Sequence, residues 1–198
     1  MAARVSGKQV CLLGCLLTAS TVGAANMSAD AASRVPPAYE RAAEAAGVPP
    51  AVLLAVAREE SGRRLNGRWI PWPWTLNVAG IPQYFLTESG ACAALERALG
   101  DVPPTRIDVG LGQINFGFYG ERVGKPCELL NPYRNLALAA TILRAHHEPG
   151  EDWLIAAGRS HRPAGGPLAL RYGQEVAEQL ARVLGRPEMN DVAQNDTP

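Results

Sequence analysis

Proline and glycine divide this chain into short helical lengths. Pro36-Pro37 opens an amphipathic pattern over 38–46 that Gly47 stops, and Pro49-Pro50 opens a second over 51–61 that Gly62 stops. Proline suits a first helical turn and glycine the residue after a last one, so both stretches are predicted helices. The same reasoning predicts helices over 88–99, from Asn131-Pro132 to His147, over 152–158 and over about 168–184. Between the second and third, Trp69, Trp72, Trp74, Tyr84 and Phe85 are interleaved with Pro71, Pro73, Gly80 and Pro82. That mixture reads as a loop with short extended pieces. Residues 101–124 are again rich in Gly and Pro, and no internal repeat is visible. The expectation is a mainly α domain with one small extended element.

The first 25 residues have a different character. Arg4 and Lys8 are the only charges before Asp30, and an apolar run from Val10 ends in Val22-Gly23-Ala24-Ala25. A basic start, a short apolar run and a small-residue exit mark a secretory signal peptide, so the protein is expected to be exported to the periplasm. The run is too short and too rich in Ser, Thr and Gly for a comfortable membrane span. An uncleaved anchor is the alternative, and Leu12-Leu13-Gly14-Cys15 faintly resembles a lipidation motif. Residues 26–35 read as a flexible lead-in, 36–185 as one domain and 186–198 as a disordered tail. Cleavage would remove Cys11 and Cys15 and leave Cys92 and Cys127, an even pair in a compartment that permits disulfides. Lys+Arg and Asp+Glu are 19 each, and this balance argues against a nucleic-acid binder. A hydrophobic share of 47% with 19% charged residues excludes a disordered chain and a multi-span membrane protein.

The predicted helix over 51–61 carries an anomaly. Val52, Leu53, Val56 and Ala57 form one apolar arc, and Glu60 falls near its middle. Glu59 lies at the edge of the arc and reads as a surface charge. Burying an unpaired carboxylate is costly, which leaves two readings of Glu60. In one, the last turn leaves the core and the group is solvated or paired with an arginine. In the other it faces a half-dry cleft, where desolvation favours the protonated form of a carboxyl and suits it to general acid catalysis.

The run from Leu53 to Gly62, ending Arg58-Glu59-Glu60-Ser61-Gly62, resembles the apolar helix ending in Glu-Ser of the soluble lytic transglycosylase family. Gly110-Leu111-Gly112-Gln113-Ile114-Asn115 resembles that family's Gly-Leu-Met-Gln-Ile segment, with Gly112 in place of Met. Asn131-Pro132-Tyr133-Arg134-Asn135-Leu136 resembles the start of its next helix. Trp72-Pro73-Trp74-Thr75-Leu76-Asn77-Val78 resembles members attached to conjugative transfer and integrating elements. These segments occur in the family's order and span about 38–184.

The resemblance implies a lysozyme-like, mainly α domain acting on peptidoglycan glycan strands, without a cofactor or metal. It aligns Glu60 with the catalytic acid that cleaves the MurNAc–GlcNAc β-1,4 bond and closes a 1,6-anhydro ring. It further implies a conjugative or type IV secretion complex as a partner. Gln113, Asn115, Ser61 and His161 are the candidate substrate-binding residues, each with a structural alternative such as turn capping. Asp108 is the candidate second carboxylate for a hydrolytic muramidase, the alternative enzyme. A non-catalytic wall-binding assembly protein is the alternative from another class. Many family members carry an Ala-Tyr-Asn-Ala-Gly run whose tyrosine lies near the acid. Here the corresponding segment reads Ala156-Ala157-Gly158-Arg159-Ser160-His161. Arg159 and His161 are the candidates for the tyrosine's place, Tyr172 belonging to the next helix.

Overall fold

The computed structural model describes residues 35–185. The expected signal peptide, the lead-in up to residue 34, the possible lipidation motif and the expected tail lie outside the described residues. Helices α1 (Pro37–Ala46) and α2 (Pro50–Ser61) each start on proline. Gly47 closes α1 in the left-handed conformation, its N–H donating to the carbonyls of Ala43 and Glu44, as expected for a glycine stop. Gly62 acts differently, since its backbone is extended and carries the chain directly from α2 into a strand.

That strand, β1 (Gly62–Leu65), pairs antiparallel with β2 (Arg68–Pro71). The turn between them places Asn66 and Gly67 at φ of 49° and 76°, the left-handed pair that a two-residue hairpin requires. A second sheet contains β3 (Thr75–Val78), β4 (Ile81–Tyr84), β5 (Ile107–Val109) and β6 (Ile114–Asn115), in the order β4-β3-β5-β6 and antiparallel throughout. The fold is thus mainly α with a small antiparallel β part, as expected, its short strands divided between two sheets. Strands of two to four residues are too short to display a period-two pattern, although Asn66-Gly67 is itself a hairpin signal.

The remaining helices are α3 (Glu88–Asp101), the short α4 (Phe116–Tyr119), α5 (Pro132–Ala145), α6 (Trp153–His161) and α7 (Pro167–Val183). Side chains of Thr87, Asn115, Asn131 and Asp152 accept backbone N–H groups at the starts of α3 to α6. Each such cap is worth about 1 kcal/mol. Helix α6 runs to His161 rather than stopping at Gly158. Gly158 packs directly under the Ala169 carbonyl of α7, where a Cβ would collide, so it serves helix contact rather than helix termination.

The core lies around α2. Leu53 and Ala57 of α2, Leu95 of α3, Leu136 and Leu143 of α5, Val176 of α7 and Leu76, Ile107 and Val109 of the larger sheet are all buried. Full burial of one such aliphatic side chain contributes about 1.5–3 kcal/mol. No helix among the described residues is long and apolar enough to cross a membrane. Cys92 of α3 and Cys127, in a 3-10 turn over Pro126–Leu130, form a disulfide across a separation of 35 residues. In the chain-entropy description such a link contributes about 4 kcal/mol.

One buried amide joins these parts. Asn135 of α5 is 1% exposed. Its Nδ2 donates to the Val109 and Leu129 carbonyls at 2.8 and 2.9 Å, and its Oδ1 accepts the Gly112 N–H at 2.8 Å. Strand β5, the disulfide-bearing turn and the β5–β6 connection thus meet on a single side chain. Replacing Asn135 with Ala leaves three buried backbone groups unpaired, at about 1–3 kcal/mol each. We expect a loss of roughly 3–5 kcal/mol in urea denaturation; a loss below about 1 kcal/mol would show that the node is dispensable.

Candidate active site

Glu60 lies in the last turn of α2, with its side chain 18% exposed. The Tyr172 hydroxyl, from the second turn of α7, donates to Glu60 Oε1 at 2.5 Å. His161 Nδ1, at the end of α6, stands 3.6 Å from the same oxygen. The His161 and Tyr172 rings stack at 4.1 Å with planes 8° apart. Both contacts converge on Oε1, so Oε2 has no partner among the described residues. The tyrosine beside the acid is thus present, but α7 supplies it. The stacked His161 occupies the neighbouring position.

Arg159 does not take that place. Its guanidinium donates to the His146 carbonyl and bridges to Glu151, binding α6 to the end of α5. His147 stacks on Trp153 at 3.7 Å and bonds through Nε2 to the Glu151 carbonyl at 2.9 Å.

The residues flanking Glu60 are tied to the same partner helix. Gln179, 6% exposed on α7, accepts from Arg58 Nε at 3.2 Å and donates to Glu59 at 3.1 Å. Glu59 is therefore a held, half-buried group rather than the free surface charge its position suggests. Tyr172 and Gln179 are seven residues apart, two helical turns, and so lie on one face of α7. Ser61 is fully buried, its hydroxyl lying 2.9 Å from the carbonyls of both Ala57 and Leu111. It joins the end of α2 to the β5–β6 connection.

That connection carries the other candidates. Gly110 adopts a φ of 77°. A Cβ at Gly112 would stand 2.7 Å from that of Ala139, which explains the glycine where the resembling family has Met. Gln113 is a non-glycine residue with φ of 41°, a conformation that costs about 1 kcal/mol and is frequent at functional sites. Its Nε2 donates to the Gly110 carbonyl at 2.8 Å and approaches that of Thr75 at 3.4 Å, with Oε1 unused among the described residues. Asn115 is fully engaged: Oδ1 caps α4 through Gly117 N–H, and Nδ2 donates to the Thr105 carbonyl and Asp108 Oδ1.

Asp108 lies within electrostatic reach of Glu60 and His161. Burial pushes its carboxyl above the usual range; the Asn115 bond opposes this, the Glu60 charge adds to it, and His161 draws it back. Burial also pushes the Tyr172 phenol well above its ordinary value, reinforced by Glu60, so Tyr172 remains a neutral donor. For His161 the larger influence is hydrogen-bonding attraction to Glu60, raising it above 6.5 against partial burial, with the charges of Glu60, Asp108 and Glu175 adding.

The aromatic segment forms one wall beside the end of α2. Trp69 Nε1 donates to the Arg58 carbonyl at 3.1 Å, Tyr84 to the Gly62 carbonyl at 3.3 Å and Trp72 Nε1 to the Phe85 carbonyl at 2.6 Å. Arg63 lies over the rings of Trp72 and Tyr84. Trp69 and Tyr84 are each 42% exposed, leaving ring surface open to solvent. A groove of about 450 Å³ lies elsewhere between α6 and α7; Arg159, the charged residue lining it, is engaged with Glu151.

The chain matches no family model, no curated protein and no solved structure in the three comparisons.

The Glu60 contact makes a titration prediction. His161 should titrate above 6.5 in the wild type, and its value should fall in Glu60→Gln, followed by NMR of the imidazole Cε1–H. Because the folded value is raised, the contact's contribution to stability is complete below about pH 6.5. It is lost as pH rises through the folded value. An unchanged His161 titration in Glu60→Gln would refute the coupling.

Proposed function

We propose that this protein is a peptidoglycan lytic transglycosylase with Glu60 as its single general acid and base. The observation that carries the reading is the half-dry carboxyl at the end of α2, held at one oxygen by Tyr172 and unpartnered at the other. The lysozyme-like assignment of the fold belongs to the same proposal. The ordered motifs at 53–62, 110–115 and 131–136 support it.

In the proposed reaction the protonated Glu60 gives its proton to the glycosidic oxygen as the C1–O bond of MurNAc breaks. The resulting carboxylate takes the proton from the C6 hydroxyl of the same sugar, whose oxygen bonds to C1. Glu60 ends protonated, no water is consumed, and the product carries a 1,6-anhydro ring. The sugar's own hydroxyl replaces the water or second carboxylate of a glycoside hydrolase. Tyr172 fixes the orientation of the carboxyl, directing proton exchange to Oε2. His161 beside Oε1 supplies positive charge when Glu60 is ionised. Gln113 Oε1 is available to a sugar hydroxyl or acetamido N–H, whereas Ser61 and Asn115 act by holding backbone in place. Oxidation of Cys92 and Cys127 fits an exported enzyme, and a conjugative secretion apparatus is the proposed setting.

One observation favours a second reading. Asp108 senses the charge of Glu60, so a hydrolytic muramidase using Asp108 to position water is the competing outcome. Purified sacculi incubated with the protein should release muropeptides ending in 1,6-anhydroMurNAc, identified by mass spectrometry. Reducing-end products would replace the first reading with the second. Glu60→Gln should lower the rate about 10²–10⁴-fold, the range for loss of a general acid. Tyr172→Phe should lower kcat about tenfold with little change in KM, the effect of one hydrogen bond to a charged group. Absence of turnover by the wild type, together with binding to sacculi, would favour the assembly-protein alternative.

A further inference from the structure

A pocket of about 280 Å³ opens beside the candidate acid, between the end of α6 and the first turns of α7. It is lined by His161, Arg162, Leu168, Arg171, Tyr172 and Glu175. Tyr172 and His161 are the two residues that touch Glu60, so the pocket adjoins the site on its α7 side. Three of its six side chains are basic. The Arg162 guanidinium has no hydrogen bond or ion pair among the described residues. Among the described residues Arg171 pairs only with Glu175, one helical turn away, at 3.1 Å, with their side chains 75% and 40% exposed. An exposed pair of this kind is worth little and readily exchanges partners. Leu168 adds an apolar wall, itself 55% exposed.

A sugar of the kind proposed brings matching chemistry. MurNAc differs from GlcNAc by a 1-carboxyethyl (lactyl) ether on O3, which carries a methyl group and ends either in a free carboxylate or in a peptide bearing carboxylates. A substituent on the reacting ring must lie within a few bonds of the C1 that Glu60 addresses. Arginine meets a carboxylate with paired N–H donors in a fixed plane. We propose that this pocket receives the carboxylate-bearing O3 substituent of the substrate sugar, with Arg162 and Arg171 binding the carboxylate and Leu168 packing against its apolar part. The inference rests on the transglycosylase reading and extends it, giving the enzyme selectivity for MurNAc-containing strands over uncharged glycans. Recognition depends on two arginines outside every motif that carried the family resemblance.

The test compares wild type with the double variant Arg162→Gln, Arg171→Gln on native sacculi and on sacculi whose carboxyls have been capped with methylamine by carbodiimide coupling. Both side chains are exposed, and thermal unfolding followed by circular dichroism checks that the variant folds. The double variant should lose roughly tenfold in kcat/KM on native wall, as expected for one charge-assisted contact. The wild type should drop to the variant's level on capped wall. Amidase-stripped strands, which expose the lactyl carboxylate, separate the two sources. A penalty there assigns the lactyl group, and a penalty confined to peptide-bearing strands assigns the stem. No penalty on any substrate, or an equal penalty on capped wall, would overturn the proposal. Retention of Glu60→Gln on native against capped sacculi, with and without the arginine changes, reads the same contact without turnover. It therefore decides the pocket's role even if the catalytic reading fails. Retention indifferent to both charge changes overturns the pocket's role.

Discussion

The last turn of α2 is held on α7 by polar bonds that recur at two helical turns. Gln179 takes Arg58 and Glu59, and Tyr172 takes Glu60. Three consecutive half-desolvated side chains each gain a partner on α7, at a place where unpaired polar groups are costly. The arrangement also divides the labour of the glutamate's oxygens. One is an acceptor within the protein, and the other has no partner among the described residues. Such division requires both helices to keep their relative rotation, which the buried Val176 of α7 and Leu53 and Ala57 of α2 enforce through the shared core.

A second set of ties approaches from the opposite side. Ser61 hydroxyl contacts link α2 to the Leu111 carbonyl, and Asn135 secures the Gly112 N–H one residue later. Asn135 also binds the Leu129 carbonyl in the turn that contains Cys127. A covalent link on α3 is therefore connected, through one turn and one amide, to the backbone that Ser61, the residue after Glu60, contacts.

Much of the helical architecture was legible in the sequence because proline starts, glycine stops and side-chain caps act locally. Pro37, Pro50, Gly47 and Asn131 behave as their chemistry predicts. Gly62 and Gly158 do not, since each is glycine for the sake of a close neighbour, Trp69 in one case and the Ala169 backbone in the other. Close approach leaves no local sign in a single chain. The small extended part was legible, but its individual strands were not, because two to four residues cannot establish a period; Asn66-Gly67 alone marks a hairpin. At the site, Glu60 was visible as an acid on an apolar arc. Tyr172 as its partner was not legible, since it lies on another helix and nothing local in the chain couples the two. Gln179, a polar residue on the inner face of α7, is the one sequence sign of such a tie. Ser61 and Asn115 have the residue types of sugar ligands, yet their polar atoms are engaged by backbone and by Asp108. Composition does not reveal prior engagement.

Glu60 and Tyr172 are 112 residues apart in the chain. A polypeptide made from its N-terminus therefore carries the glutamate long before the residue that orients it exists. Strong long-range pairing of this sort is formed late, after the intervening loop has been closed. The orienting half of the site consequently arrives with the final helix, so a nascent or prematurely terminated chain holds an acid without its aim. Completion of synthesis is thus itself a gate on the geometry of this carboxyl, built from chain order alone.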